Sequence, residues 1–160
     1  MKNIKFSRLF AAALVVACLA LTACKPAADE DKKPSIKGTW ISTFDEKYEI
    51  KGSTYNNYYT ANDEFVLYFS TDSVEIVEAT DETGFVFGKF NDADHIGFGA
   101  TVGQWYCFYY SDLKEDSVKI YQPFKPTGKA ACDSLEEAKT EYTIDNGYFD
   151  LSNPSVCKKQ

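Results

Sequence analysis

Residues 64–90 read EFVLYFSTDSVEIVEATDETGFVFGKF. Phe65, Leu67 and Phe69 fall at every second position, so an extended backbone sets all three on one face. A turn at Thr71-Asp72 then brings Val74 and Ile76 across from them in a hairpin. Phe85 and Phe87 repeat the spacing. The period is that of a strand, and the apolar runs are short and bounded by Gly, Asn, Asp, Ser and Thr.

The same signature extends outward in both directions. Strands are expected at 36–44, 47–52, 55–60, 64–70, 73–80, 84–90, 101–111, 117–122, 141–144 and 148–152. Asn146-Gly147 offers the two positive φ angles of a type I′ turn, which predicts a hairpin between Thr143-Ile144 and Phe149-Leu151. Only Ser134-Leu135-Glu136-Glu137-Ala138-Lys139 reads as helix, with Asp133 or Ser134 as N-cap and acids in the first turn, where the helix dipole favours them. Eight to ten strands joined by short connections would leave two long edges open to aggregation, and closure removes them. The expected fold is all-β, an antiparallel up-and-down meander barrel of about eight strands with one short late helix.

A chain of 160 residues, 44% hydrophobic and 16% aromatic, holds one ordinary globular domain and is too rich in large apolar side chains for disorder. Removing Lys2, Lys5 and Arg8, which lie in a targeting segment, from the 17 basic residues leaves 14 against 24 acidic ones, a balance of −10. Arg8 is the only arginine. The remainder therefore carries no guanidinium fork for phosphate, and neither nucleic acid nor acidic lipid headgroups are expected partners.

Met1 to Arg8 carries the three positive charges, and Leu9 to Ala23 is an uncharged, mainly apolar stretch of 15 residues. This is the layout of a secretory signal peptide and is too short to span a bilayer. Leu21-Thr22-Ala23-Cys24 resembles a bacterial lipobox. The resemblance implies that residues 1–23 are removed and that Cys24 becomes the first residue, carrying acyl chains that anchor it to a membrane. A second match, Val15-Val16-Ala17-Cys18, would leave an apolar region of only about nine residues, at the low end for a signal. Residues 24–35 comprise that cysteine and a flexible tether, KPAADEDKKPS, with two prolines and no large apolar side chain. The implied address is the bacterial cell envelope, on the outer membrane in a Gram-negative cell. Asp29-Glu30-Asp31 resembles a surface-sorting signal, with a solvated spacer as the alternative.

The domain proper, 36–160, opens with Ile36-Lys37-Gly38-Thr39-Trp40. This segment resembles the Gly-x-Trp opening of lipocalins and lipocalin-like lipoproteins. The resemblance implies that Trp40 plugs the closed end of a barrel and that Gly38 permits the bend beside it. The leading expectation is non-catalytic binding of a small, partly apolar ligand inside the barrel, with Phe65, Leu67, Phe69, Phe85, Phe87, Tyr106 and Phe108 as the inward face. The alternative is a surface module on a solid barrel. It would bind a glycan or a protein through exposed aromatics such as those of Tyr55-Asn56-Asn57-Tyr58-Tyr59, Trp105-Tyr106 and Tyr109-Tyr110.

No catalytic constellation, metal site or cofactor is expected. His95 is the only histidine. Around it, Asn91-Asp92-Ala93-Asp94-His95-Ile96-Gly97 fails as a calcium loop, because counting from Asp92 the fifth and twelfth positions are Ile96 and Gly103. No Gly-x-Ser-x-Gly elbow presents a serine, and Glu75 and Glu78 are expected to face solvent. Beyond Cys24 the thiols are Cys107, Cys132 and Cys157, an odd number for an oxidising compartment. A Cys132–Cys157 disulfide pinning the C-terminal tail is expected, with Cys107–Cys157 as the alternative.

Overall fold

The computed structural model describes residues 33–96 and 99–160. The signal segment, Cys18, Cys24 and the tether up to Lys32 lie outside the described residues, so the folded unit is followed from Lys33. Eight strands form a closed barrel in chain order: β1 Gly38–Ser42, β2 Lys47–Lys51, β3 Thr54–Ala61, β4 Glu64–Glu78, β5 Gly84–Phe90, β6 Trp105–Ser111, β7 Ser117–Tyr121 and β8 Ser155–Lys159. All neighbours are antiparallel, and β8 returns to pair with β1, Trp40 opposite Lys159 and Ser42 opposite Cys157. One helix, α1 Leu135–Glu141, lies between β7 and β8. The expected all-β meander barrel with a single late helix is what the described residues form.

Alternation along the strands divides the apolar residues into two layers. Trp40, Tyr48, Ile50, Tyr55, Phe69, Val86, Phe90, Tyr106, Phe108, Tyr110, Val118, Ile120 and Cys157 fill the barrel. On the outer face of β5, β6 and β7 lies a second layer: Phe87, Cys107 and Tyr121 meet Cys132, Ala138, Tyr142, Tyr148 and Phe149 from α1 and its flanks. The helix covers a sheet face that would otherwise be greasy.

Three elements depart from the sequence pattern, each for a local reason. The Thr71-Asp72 turn does not form, and β4 runs unbroken for 15 residues. Its first half pairs with β3 and its second with β5, with Thr71 in both ladders. The bend is a bulge in which Ser73, at φ 53°, and Val74 together stand opposite Gly88.

The Asn146-Gly147 hairpin is also absent. Asn146 Nδ2 instead donates to the carbonyls of Thr140 and Glu141 at 3.0 and 2.9 Å, and the Tyr142 N–H returns to the Ala138 carbonyl. The Asn146 side chain therefore satisfies two orphan carbonyls at the end of α1, and residues 141–144 and 148–152 make no strands. The strand that closes the barrel is β8, from the segment read as a tail. At its other end α1 is capped by Ser134, whose Oγ accepts from the Glu137 N–H at 3.2 Å, while Glu137 accepts from the Asp133 N–H at 2.9 Å.

The barrel has two unlike ends. One carries the tight β2–β3, β4–β5 and β6–β7 connections, and the chain enters there. Lys33 pairs with Glu78 at 2.6 Å and Asp81 at 2.9 Å, and Trp40 Nε1 donates to the Ile36 carbonyl at 2.8 Å. Gly38 takes φ 145°, and a Cβ there would stand 3.0 Å from Lys159 Cε. The opposite end carries the β1–β2, β3–β4, β5–β6 and β7–β8 connections and is called the long-loop end below.

Candidate binding surface at the long-loop end

Of the seven residues expected to face inward, Phe69, Tyr106 and Phe108 do. Phe85 and Phe87 point the other way, into the layer under α1, where Phe85 meets Tyr109 and Phe149 at centroid distances of 5.1 and 5.8 Å. Phe65 and Leu67 are also turned out. Asn57 pairs with Phe69 but Tyr58 pairs with Leu67, so Tyr68 is an extra residue that flips the faces of everything before it. Lys47 Nζ marks that outer side, 3.7 Å from the Tyr58 ring centroid and 5.1 Å from that of Phe65.

The interior that remains is packed with rings. Tyr55 meets Phe69 and Phe108 edge-on at 5.4 and 4.8 Å, and Phe69 meets Phe90 and Tyr106 at 5.5 and 5.3 Å. These spacings suit the edge-to-face attraction of aromatic quadrupoles. Tyr55 Oη is buried with no hydrogen-bond partner. Burial drives its pKa well above that of a free tyrosine, with the neighbouring Tyr106 adding to the shift.

Large apolar side chains are exposed at the long-loop end. Phe44 in the β1–β2 loop is 64% exposed, Phe124 in the β7–α1 connection is 77% exposed, and Tyr59, Phe65 and Val102 are exposed there too. The loops that present them are braced. Ser42 Oγ accepts from the amides of Phe44 and Glu46, each at 3.1 Å, and Thr60 Oγ1 donates to the Asp45 carbonyl at 2.6 Å. Asn62 and Asp63, both at positive φ, close the β3–β4 hairpin tightly.

Beside this rim is a cleft of about 350 Å³ whose lining includes Glu46, Gln122, Phe124, Asp150, Asn153 and Ser155. A chain of hydrogen bonds reaches it from the core. Tyr106 Oη donates to Gln122 Oε1 at 3.0 Å, Gln122 Nε2 to Tyr48 Oη at 3.2 Å, and Tyr48 Oη to Glu46 Oε2 at 2.7 Å. Ser155 Oγ donates to the same Glu46 oxygen at 3.0 Å. Burial, reinforced by the Glu46 charge, holds the Tyr48 hydroxyl protonated far above its ordinary range. Asp150 is held below the usual carboxylate range by the Ser152 hydroxyl and amide.

None of the cleft residues stood out in the sequence. One signal was available: Gln122-Pro123-Phe124-Lys125-Pro126 places a phenylalanine between two prolines, where no interior strand can run.

The remaining chemical candidates take ordinary structural places. Asp92 accepts from the Asp94 amide at 3.0 Å and pairs with His95 Nδ1 at 2.8 Å, which makes the His95 segment a turn. Glu75 and Glu78 are both partly exposed, Glu78 at the end of β4, and pair with Lys139 and Lys33. Among the described residues, no three His, Cys, Asp or Glu side chains converge as a metal ion requires. Trp105 and Tyr109 belong to the layer under α1. The expected Cys132–Cys157 disulfide is not formed: Cys157 projects into the barrel, Cys132 sits in the outer layer beside β6, and the sheet lies between them. Cys107 is likewise a free, buried thiol. Comparison with protein-family models, curated proteins and solved structures finds no match for the chain.

Proposed function

We propose that this chain is a bacterial envelope lipoprotein, anchored through acyl chains on Cys24, whose lipocalin-like barrel is a solid scaffold for a protein-binding surface. One observation carries the reading: five large apolar side chains are exposed at one end while the interior is occupied by interlocking rings. Exposed aromatics on braced loops are the usual anchors of protein interfaces. The described chain begins at the other end, with Lys33 and Ile36. A small apolar ligand inside the barrel has less support, since four of the seven residues named for it lie outside.

The test is in-cell photo-crosslinking. A photoreactive side chain at Phe44, Phe65 or Phe124 is expected to give discrete protein adducts, and one at Val77, near the opposite end, is not. Adducts of equal yield from all four positions, or none, would sink the proposal. The anchor is tested separately: Cys24→Ala should release the protein from the membrane fraction, and full retention would refute lipidation.

A further inference from the structure

We infer that the rim takes its partner by strand addition: an extended segment of another protein, apolar on one face, hydrogen-bonds to the open edge of β4 at Phe65 and Leu67. The inference deepens the reading that the long-loop end faces a protein, and rests on it. Only one side of β4 is paired along its first half. The ladder with β3 runs from Thr71 down to Glu64. The ladder with β5 ends where Thr71 meets Phe90, with a last bond from the Asn91 N–H to the Ser70 carbonyl at 3.3 Å. The chain then enters the Asp92–His95 turn, and Ile96 packs against the barrel core. Among the described residues, no strand continues beside residues 64–69 on that side.

The hairpin turn fixes which groups face the opening. Asn62 and Asp63, both at positive φ, make Ala61 and Glu64 the closing hydrogen-bonded pair. Bonded and non-bonded pairs alternate along an antiparallel ladder. Tyr59 and Val66 are therefore the next bonded pair, whereas Phe65, opposite Thr60, and Leu67, opposite Tyr58, are not bonded to β3. Their N–H and C=O groups point the other way, into the lane that β5 has left. No backbone group among the described residues bonds to them there.

Two donors and two acceptors in a row, repeating every second residue, match one extended main chain and neither a sugar nor a lipid. The side chains add a preference. Phe65, 41% exposed, and Leu67, half-buried, share a face with Tyr58, and an added strand sets alternate residues of its own beside them. A second copy of this chain offers the same edge but brings the same net negative charge, −7 for the whole sequence. The complementary occupant is thus a different protein, neutral or basic.

The experiment uses the full chain in cells with a photoreactive side chain at Phe44, read as adduct yield. Leu67→Pro deletes an N–H that β3 does not use, a change that an edge strand tolerates, whereas Leu67→Ala trims the side chain and keeps the main chain. Leu67→Pro is expected to lower the yield about tenfold, the loss of roughly one hydrogen bond, and Leu67→Ala to lower it clearly less. If the proline variant fails to fold, photoreactive side chains at Phe65 and at Leu67 of the otherwise unsubstituted chain decide the matter. Their attachment points should lie two residues apart within one segment of the partner. Equal losses in folded Leu67→Pro and Leu67→Ala, attachment points scattered over separate segments, or adducts to a second copy of this chain would each overturn the inference. Adducts from Phe44 and Phe124 that persist in those cases leave the interaction surface standing, whereas their absence in the unsubstituted protein removes both readings.

Discussion

Gly88 and Thr71 lie against one another across β4 and β5: a Cβ built on Gly88 would stand 2.7 Å from Thr71 Cβ and still closer to its Oγ1. Thr71 cannot retreat, because it is fully buried and its hydroxyl donates to the Tyr55 carbonyl at 2.9 Å. The missing side chain is what lets β4 bend at Ser73. Gly88→Ala should therefore destabilise the domain by roughly 1–3 kcal/mol, the cost of an overpacked core. A denaturant midpoint unchanged from that of the unsubstituted protein would show that the bend is not held this way.

Tyr55 offers the opposite outcome. Its hydroxyl has no partner in a core of rings, and an unsatisfied buried hydroxyl costs about 1–3 kcal/mol. Tyr55→Phe should leave stability unchanged or raise it, whereas Tyr106→Phe, which removes the bond to Gln122, should lower it by about 1 kcal/mol. Thermal unfolding of the two variants decides the matter, and a loss in Tyr55→Phe comparable to that in Tyr106→Phe would contradict the assignment.

Stability should fall steeply in alkali. Burial raises the pKa of Tyr48, Tyr55 and Tyr106 well above that of a free tyrosine, and that of Tyr110 to about 12. Burial likewise lifts Cys157 to about 12 and Cys107 well above its ordinary value. A group whose folded pKa is raised keeps its proton in the native state after the unfolded chain would release it. Its contribution is thus complete below the unfolded pKa, about 8.5 for thiols and 10 for phenols, and is lost as pH climbs toward the folded values. Tyrosinate absorbance and loss of tertiary circular dichroism should rise together in one cooperative step above about pH 10. A gradual phenolate titration of a still-folded protein would show the hydroxyls to be accessible.

The three thiols should behave as a buried set. With Cys157 inside the barrel and Cys107 and Cys132 beneath α1, iodoacetamide should modify none of them in the native protein and all three in denaturant. Mapping of non-reduced peptides is expected to find no Cys132–Cys157 link. Recovery of that peptide from folded protein would require the sheet to be breached and would overturn the two-layer description.

How far the sequence could be read depended on what set each element. Strands β1–β3 follow from alternation alone, because one face of each is buried and a one-residue slip would expose it. The bulges at Tyr68 and Ser73 are invisible to alternation, and each reverses the faces around it, which is why Phe65 and Leu67 point outward. Phe85 and Phe87 went astray for a different reason. β5 is apolar on both faces, and only the docking of α1 decides which face is inside. Asn146-Gly147 suits a hairpin and a helix end equally well, and the nearby carbonyls of Thr140 and Glu141 settle it. The cleft draws on the β1–β2 loop, the end of β7 and the start of β8, so no local motif could disclose it.

The ladder between β1 and β8 joins the first strand of the barrel to the last. Seven strands can pair hairpin by hairpin as they emerge, yet the ring stays open until Ser155–Lys159 arrives, and the loop that must then close is nearly the whole domain. Until that moment β1 and β7 are bare edges and the aromatic interior is wet. The chain therefore has no early, locally stable form in which to settle. Under the export proposed above, such lateness would keep the chain transportable until its last segment is through.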